Sequence, residues 1–136
     1  MALFEIGMTQ EQVMEAINPA PKDRYRLGYE GLMLDKENGG DPRWTTKRGG
    51  KMVKALLRII SPDPIQHGKS IIYNGVIGSF SFANLTAVLP LMSGTGIDPE
   101  AGKGMEIEAD VDVDTYTKND GTEGKRNNIV KMYSIG

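Results

Sequence analysis

Arg43, Trp44, Lys47, Arg48 and Lys51 fall within nine residues, and Lys54 and Arg58 continue the basic series just beyond them. Lys and Arg at this density attract phosphates and release counterions, and an indole ring offers a stacking face to any base. Together they suit single-stranded nucleic acid. Tyr116, Lys118, Lys125 and Arg126 repeat the combination near the other end of the chain. Tyr73 is a further aromatic, on an apolar run that buries it as readily as it exposes it. The competing reading of Trp44 is a core or lid residue, but no apolar alternation surrounds it. Its neighbours are Arg, Thr and Lys.

Other chemistries find less support. The chain has no cysteine and a single histidine, His67, which excludes disulfides, thiolate nucleophiles, Cys-ligated metals and sites built on several imidazoles. Asp110, Asp112 and Asp114 suggest a cation, yet period two in a strand only lines them along one face. A calcium loop starting at Asp110 would need Gly at its sixth position and Glu at its twelfth, where Thr115 and Gly121 stand. Between Gly96 and Gly104 a phosphate-loop pattern fails, because Lys103 is followed by Gly104 instead of Ser or Thr. His67 sits in a turn with no acid closer than Asp63 and reads as a solvated residue. No catalytic residue, metal or cofactor is expected, and the chain is read as a binding protein, not an enzyme.

The elements that must position these residues follow from periodicity. With 136 residues, 39% apolar and 25% charged, one domain with one core is expected. Thr9 followed by Gln12 is a capping-box pattern, and Val13, Met14 and Ile17 share a helical face. Asn18, Pro19 and Pro21 then stop that helix. Residues 1–21 read as an N-terminal helical appendage and 22–136 as the binding domain. Period two predicts strands over Arg24–Leu34, Lys51–Ile60 and Ser70–Ile77. Apolar spacing of three and four from Phe80 to Met92 predicts a helix. Strict alternation predicts a strand over Met105–Val113, Asn119-Asp120-Gly121 marks a hairpin turn, and Asn128–Ser134 returns. Five strands with a helix between the third and fourth is the element order of an OB-fold, a Greek-key β-barrel. In that fold the ligand crosses strands two and three, between the loops joining strands one to two and four to five. Both of those loops are basic here.

Charge is unevenly spread beneath a net −2. Residues 41–70 hold seven bases and two acids, residues 71–97 hold no charge, and residues 98–114 hold seven acids and one base. One basic and one acidic face are expected. No apolar run approaches a membrane span, and no signal-like segment is present. A soluble intracellular protein without membrane partners is therefore expected.

In this order and spacing the sequence resembles the single-stranded DNA-binding proteins of bacteriophages, of the OB-fold type, over roughly residues 23–135. The resemblance is carried by Gly28-Tyr29, by Thr46-Lys47-Arg48-Gly49-Gly50 leading into the basic strand, and by Ser93-Gly94 after the helix. Gly102-Lys103-Gly104, Arg126-Asn127-Asn128-Ile129-Val130 and Tyr133 complete it. It implies sequence-tolerant binding of single-stranded DNA during phage replication or recombination, in the cytoplasm of an infected bacterium. It also implies phage or host replication and recombination proteins as partners, and leaves a homo-oligomer open. Many such proteins end in an acidic tail that recruits partners. This sequence closes on Tyr133-Ser134-Ile135-Gly136, so the acidic strand face at 106–114 becomes the candidate recruiting surface. Two rivals compete with this reading. One is a phage structural or assembly protein using the same barrel for protein contacts, and the other is a metal-dependent nuclease built on the acidic row.

Overall fold

Alternation of apolar and polar residues is realised as strands along most of the chain. The computed structural model describes residues 2–135. In order, the elements are α1 (Gln10–Glu15), β1 (Asp23–Leu32), a 3₁₀ turn (Lys36–Asn38), β2 (Trp44–Thr45), β3 (Lys51–Ile60) and β4 (Ser70–Val76). They continue with α2 (Phe80–Val88), β5 (Met92–Ser93), β6 (Gly96–Ile97), β7 (Glu106–Thr117) and β8 (Glu123–Ser134). The chain is mainly β, built on one antiparallel sheet in the order β4-β3-β1-β7-β8, with β2 extending the β1 side of β3. β5 and β6 form a separate small hairpin.

β1 is the centre of the sheet because it bends. Asp23–Tyr25 pair with β7 alone, Arg26–Gly28 with both β7 and β3, and Tyr29, Gly31 and Leu32 with β3. The register shifts between Tyr29 and Gly31, where Gly31 adopts φ +112°. A side chain there would be strained by that backbone, and its Cβ would lie 2.5 Å from Lys103 Cε. A glycine bulge of this kind turns a strand from one neighbour to the next.

The inward faces of the strands make the core. Val53, Ala55, Leu57 and Ile59 of β3 meet Leu27 and Tyr29 of β1, Ile71 and Tyr73 of β4, Ile107, Ala109 and Val111 of β7, and Ile129 and Met132 of β8. Leu85 of α2 with Leu89 and Leu91 covers one end. α2 presses close to β4 because Gly75 lacks a side chain; a Cβ there would sit 3.2 Å from Leu85 Cδ2.

The closed barrel expected from the sequence is not formed among the described residues. β4 and β8 come close without pairing, and the sheet stays open between them. α2 stands in that gap. The buried Asn84 amide donates to the Met132 carbonyl (3.0 Å) and accepts from the Met132 N–H (2.8 Å). One side chain thus supplies the two bonds a neighbouring strand would have made.

Element boundaries differ from expectation in three places. The helix from Phe80 stops at Val88, ahead of Pro90, and the following residues turn back as β5 and β6. The β7–β8 hairpin continues to Thr117 and Glu123, well past its alternating apolar stretch. Trp44 belongs to a two-residue strand and not to a loop.

The N-terminal helix forms with both capping-box bonds, but its apolar residues cover nothing. Val13, Met14 and Ile17 are exposed, as are Leu3, Phe4, Ile6 and Met8. The segment is anchored at its root. Ala20 is fully buried, and its N–H and carbonyl bond the Asn127 side-chain amide (2.9 and 2.8 Å). Lys69 Nζ donates to the carbonyls of Glu15 (3.1 Å) and Asn18 (2.7 Å).

Candidate nucleic-acid interface

Period two sends Val53, Ala55 and Leu57 inward and Lys54, Leu56 and Arg58 outward on β3. β2 lies alongside, with Trp44 opposite Met52. This places Trp44 on the outer side of β3, where Lys54 Nζ is 4.3 Å from the ring centroid. The indole is half-buried, and its N–H donates to the Met33 carbonyl (3.1 Å). The ring is therefore held in one orientation, with an ammonium over one face.

The turn before β3 carries Lys47 and Arg48, both exposed, and Thr46 accepts from Gly50 N–H to shape it. Lys51 donates to Thr45 Oγ1 (2.9 Å). No ion pair engages Lys47, Arg48, Lys51 or Lys54 among the described residues. Lys54 alone stands over the indole; Lys47 and Arg48 flank it on the preceding turn, and Lys51, opposite Thr45, falls on the other face of the strand pair.

Arg126, of the second predicted cluster, lies across a groove from Lys54. β7 and β8 place Asp114 opposite Arg126 and Tyr116 opposite Gly124. The Tyr116 ring lies over Gly124, where a Cβ would meet it at 2.6 Å, and Arg126 stands 5.2 Å from the ring centroid. Lys54 and Arg126 line the same groove, of about 580 Å³, between β4 and β8. That groove joins Lys54 to Arg126, whereas Tyr116, Lys118 and Lys125 line a separate cleft beside Asn18 and Pro19.

Four predicted residues are buried, paired or turned away from that groove. Tyr73 points into the core, and its hydroxyl donates to the Ser81 carbonyl (3.1 Å), so its ring offers no stacking face. Burial pushes its pKa up. Arg43 is occupied by Asp41 through its Nε and Nη2 (both 3.0 Å), and this pairing holds the Asp41 carboxyl down at about 2. Arg58 is paired with Glu30 (2.6 Å) and also donates to the Gly68 carbonyl. Lys125 lies on the other face of the hairpin, beside Asn18 and Pro19.

The acidic row on β7 is also not a bare acidic face. Arg24 forks onto Asp110 (2.8 and 3.3 Å), Arg26 reaches Glu106 (3.4 Å), and Lys22 lies 3.9 Å from Asp112. Tyr133 also donates to Asp110 (2.8 Å), and Arg24 stacks over its ring at 4.2 Å. The hydrogen bond from Arg24, then that from Tyr133, lowers the Asp110 pKa. The cations of β1 thus neutralise much of the row across the strand pair. Among the described residues, no three acidic or histidine side chains gather as a metal site.

Sequence reasoning missed the groove itself, whose walls include Asn74 and Phe80 from β4 and α2 and Asn128 and Val130 from β8. Asn74 within an otherwise apolar run was the available signal, since it marks the outward face of β4. No helix among the described residues is long and apolar enough to cross a membrane. Comparison with protein-family models, with curated proteins and with solved structures gives no match.

Proposed function

We propose that this chain is a non-enzymatic, sequence-tolerant single-stranded DNA-binding protein of the OB-fold type, serving phage replication or recombination. The observation that carries the reading is Trp44 with Lys54 over its ring on the outer face of β3, next to the exposed Lys47 and Arg48 of the preceding turn and across a groove from Arg126. The strand order β4-β3-β1-β7-β8 supports it, because an OB-fold pairs its five main strands in that order and places ligand over its second and third. Here those are β3 and β4. Phosphates would run along the lysines and Arg48, Lys54 would leave the indole for a phosphate, and a base would take its place on Trp44. Arg24 and Arg26 of β1, with Lys22 just before it, already neutralise much of the acidic row, so partner recruitment through that face has less support than the sequence suggested.

Titration of oligo-dT into the protein at two salt concentrations tests the proposal. Affinity should fall steeply with salt. Replacing Lys47, Arg48 and Lys51 together by Ala should flatten the log–log slope by up to about 0.7 per lost phosphate contact. Absence of oligo-dT binding at low salt would refute the proposal. The assembly-protein reading would then gain, supported by the exposed apolar N-terminal segment.

A further inference from the structure

The gap between β4 and β8 is finished at one end only. Ile59 N–H bonds the Lys69 carbonyl and Ile77 N–H bonds the Lys51 carbonyl. Antiparallel alternation therefore turns the backbone groups of odd-numbered residues 69–77 toward β3. Those of Ser70, Ile72 and Asn74 point away from β3, and among the described residues no backbone partner meets them. Beyond them the edge is closed, since Val76 N–H donates to Ser81 Oγ (2.9 Å) and Asn84 takes both backbone groups of Met132. Ile72, Phe80 and Val130 flank the open end and are 48, 64 and 55% exposed. An unpaired strand edge beside exposed apolar side chains is filled by an added extended strand.

The chain carries a segment of that chemistry. Phe4, Ile6 and Met8 alternate with Leu3, Glu5 and Gly7, and Phe4 is 89% exposed. Its root is held by the Ala20–Asn127 and Lys69 bonds, and the segment leaves its own chain's groove empty. Its one charged side chain, Glu5, complements a rim where Lys54 and Arg126 outnumber Asp114. We infer that residues 3–8 of one copy add as a strand to β4 in the groove of a second copy, making a reciprocal dimer. Phe4 and Ile6 then pack on Ile72, Phe80 and Val130, while Glu5 meets the basic rim. A two-fold pair in which each copy fills the other's groove closes on itself and does not polymerise. The arm would occupy the groove that the nucleic-acid reading also uses, and would compete there for Lys54 and Arg126, but the inference does not rest on that reading and its test contains no DNA.

Because the protein has no cysteine, single cysteines report the contact without background. Phe4→Cys and Ile72→Cys chains, one bearing a size tag, are mixed and oxidised. A disulfide-linked heterodimer is expected, from wild-type protein that sediments as a dimer. Phe4→Glu with Ile6→Glu, both at exposed positions, should weaken that dimer by roughly 100-fold or more through loss of two buried apolar anchors. A wild-type protein that sediments as a monomer overturns the inference, as does a mixture that forms no heterodimer. A Phe4→Cys, Ile72→Cys double variant that cross-links within one chain at every dilution also overturns it, since the arm then fills its own groove.

Discussion

Asn84→Ala is the most direct test of how α2 replaces the missing strand pairing. In the native protein the side-chain amide makes two bonds, of 2.8 and 3.0 Å, to the N–H and carbonyl of Met132. Asn84 is 8% exposed and Met132 1%, so water does not readily replace the lost partner. Leaving a buried donor or acceptor unpaired costs about 1–3 kcal/mol each. The two together predict a loss of about 2–6 kcal/mol, a large part of the stability of a domain this size. At roughly 3–5 °C per kcal/mol for a chain of this length, Tm should fall by about 6–30 °C. Urea unfolding followed by circular dichroism gives the same quantity from the midpoint at unchanged slope. Asn84→Asp, which keeps an acceptor for Met132 N–H but loses the donor, separates the two bonds. It should fail to rescue the carbonyl and adds a poorly solvated charge. A Tm for Asn84→Ala within about 2 °C of wild type would refute the reasoning, because such a shift is below the cost of one unpaired buried group.

Three further outcomes are expected. Trp44→Ala should weaken oligo-dT binding about ten-fold or more, since stacking is worth roughly 1–3 kcal/mol per base. Trp44→Phe should retain much of that affinity, and equal affinities for the two variants would show that no base stacks there. Asp110 has a lowered folded pKa, so its stabilising contribution is present above the unfolded carboxylate value of about 3.9 and is lost as pH falls through the folded value. Wild type should therefore lose more Tm than Asp110→Asn between about pH 6 and pH 3, and parallel curves would show that the Arg24 and Tyr133 contacts contribute nothing. The Tyr116 ring over Gly124 should shift the glycine Hα resonances upfield. Tyr116→Leu should abolish the shift, and Gly124→Ala should displace the ring because the new Cβ would overlap it.

Features that depend on near neighbours along the chain were legible without a fold. Alternation placed β3 at Lys51–Ile60 and decided that Lys54 faces out while Val53 and Ala55 face in, because successive side chains of a strand point to opposite sides. Thr9 and Gln12 specified a helix start three residues apart, and Asn119-Asp120-Gly121 placed the turn between β7 and β8. The antiparallel β class and the basic cluster around Trp44 were legible for the same reason. Which charges remain available follows from long-range pairing. Arg24 and Asp110 are 86 residues apart, and Arg58 and Glu30 are 28 apart. Whether they meet depends on the register of β1 against β7 and β3, which no local pattern states. The same holds for Tyr73, whose ring enters the core because β4 turns its odd-numbered residues inward under α2. It holds for the open edge as well. Asn84, the buried polar residue of α2, meets Met132 only after α2 has folded into the gap, and strand pairing there gives way to a side chain.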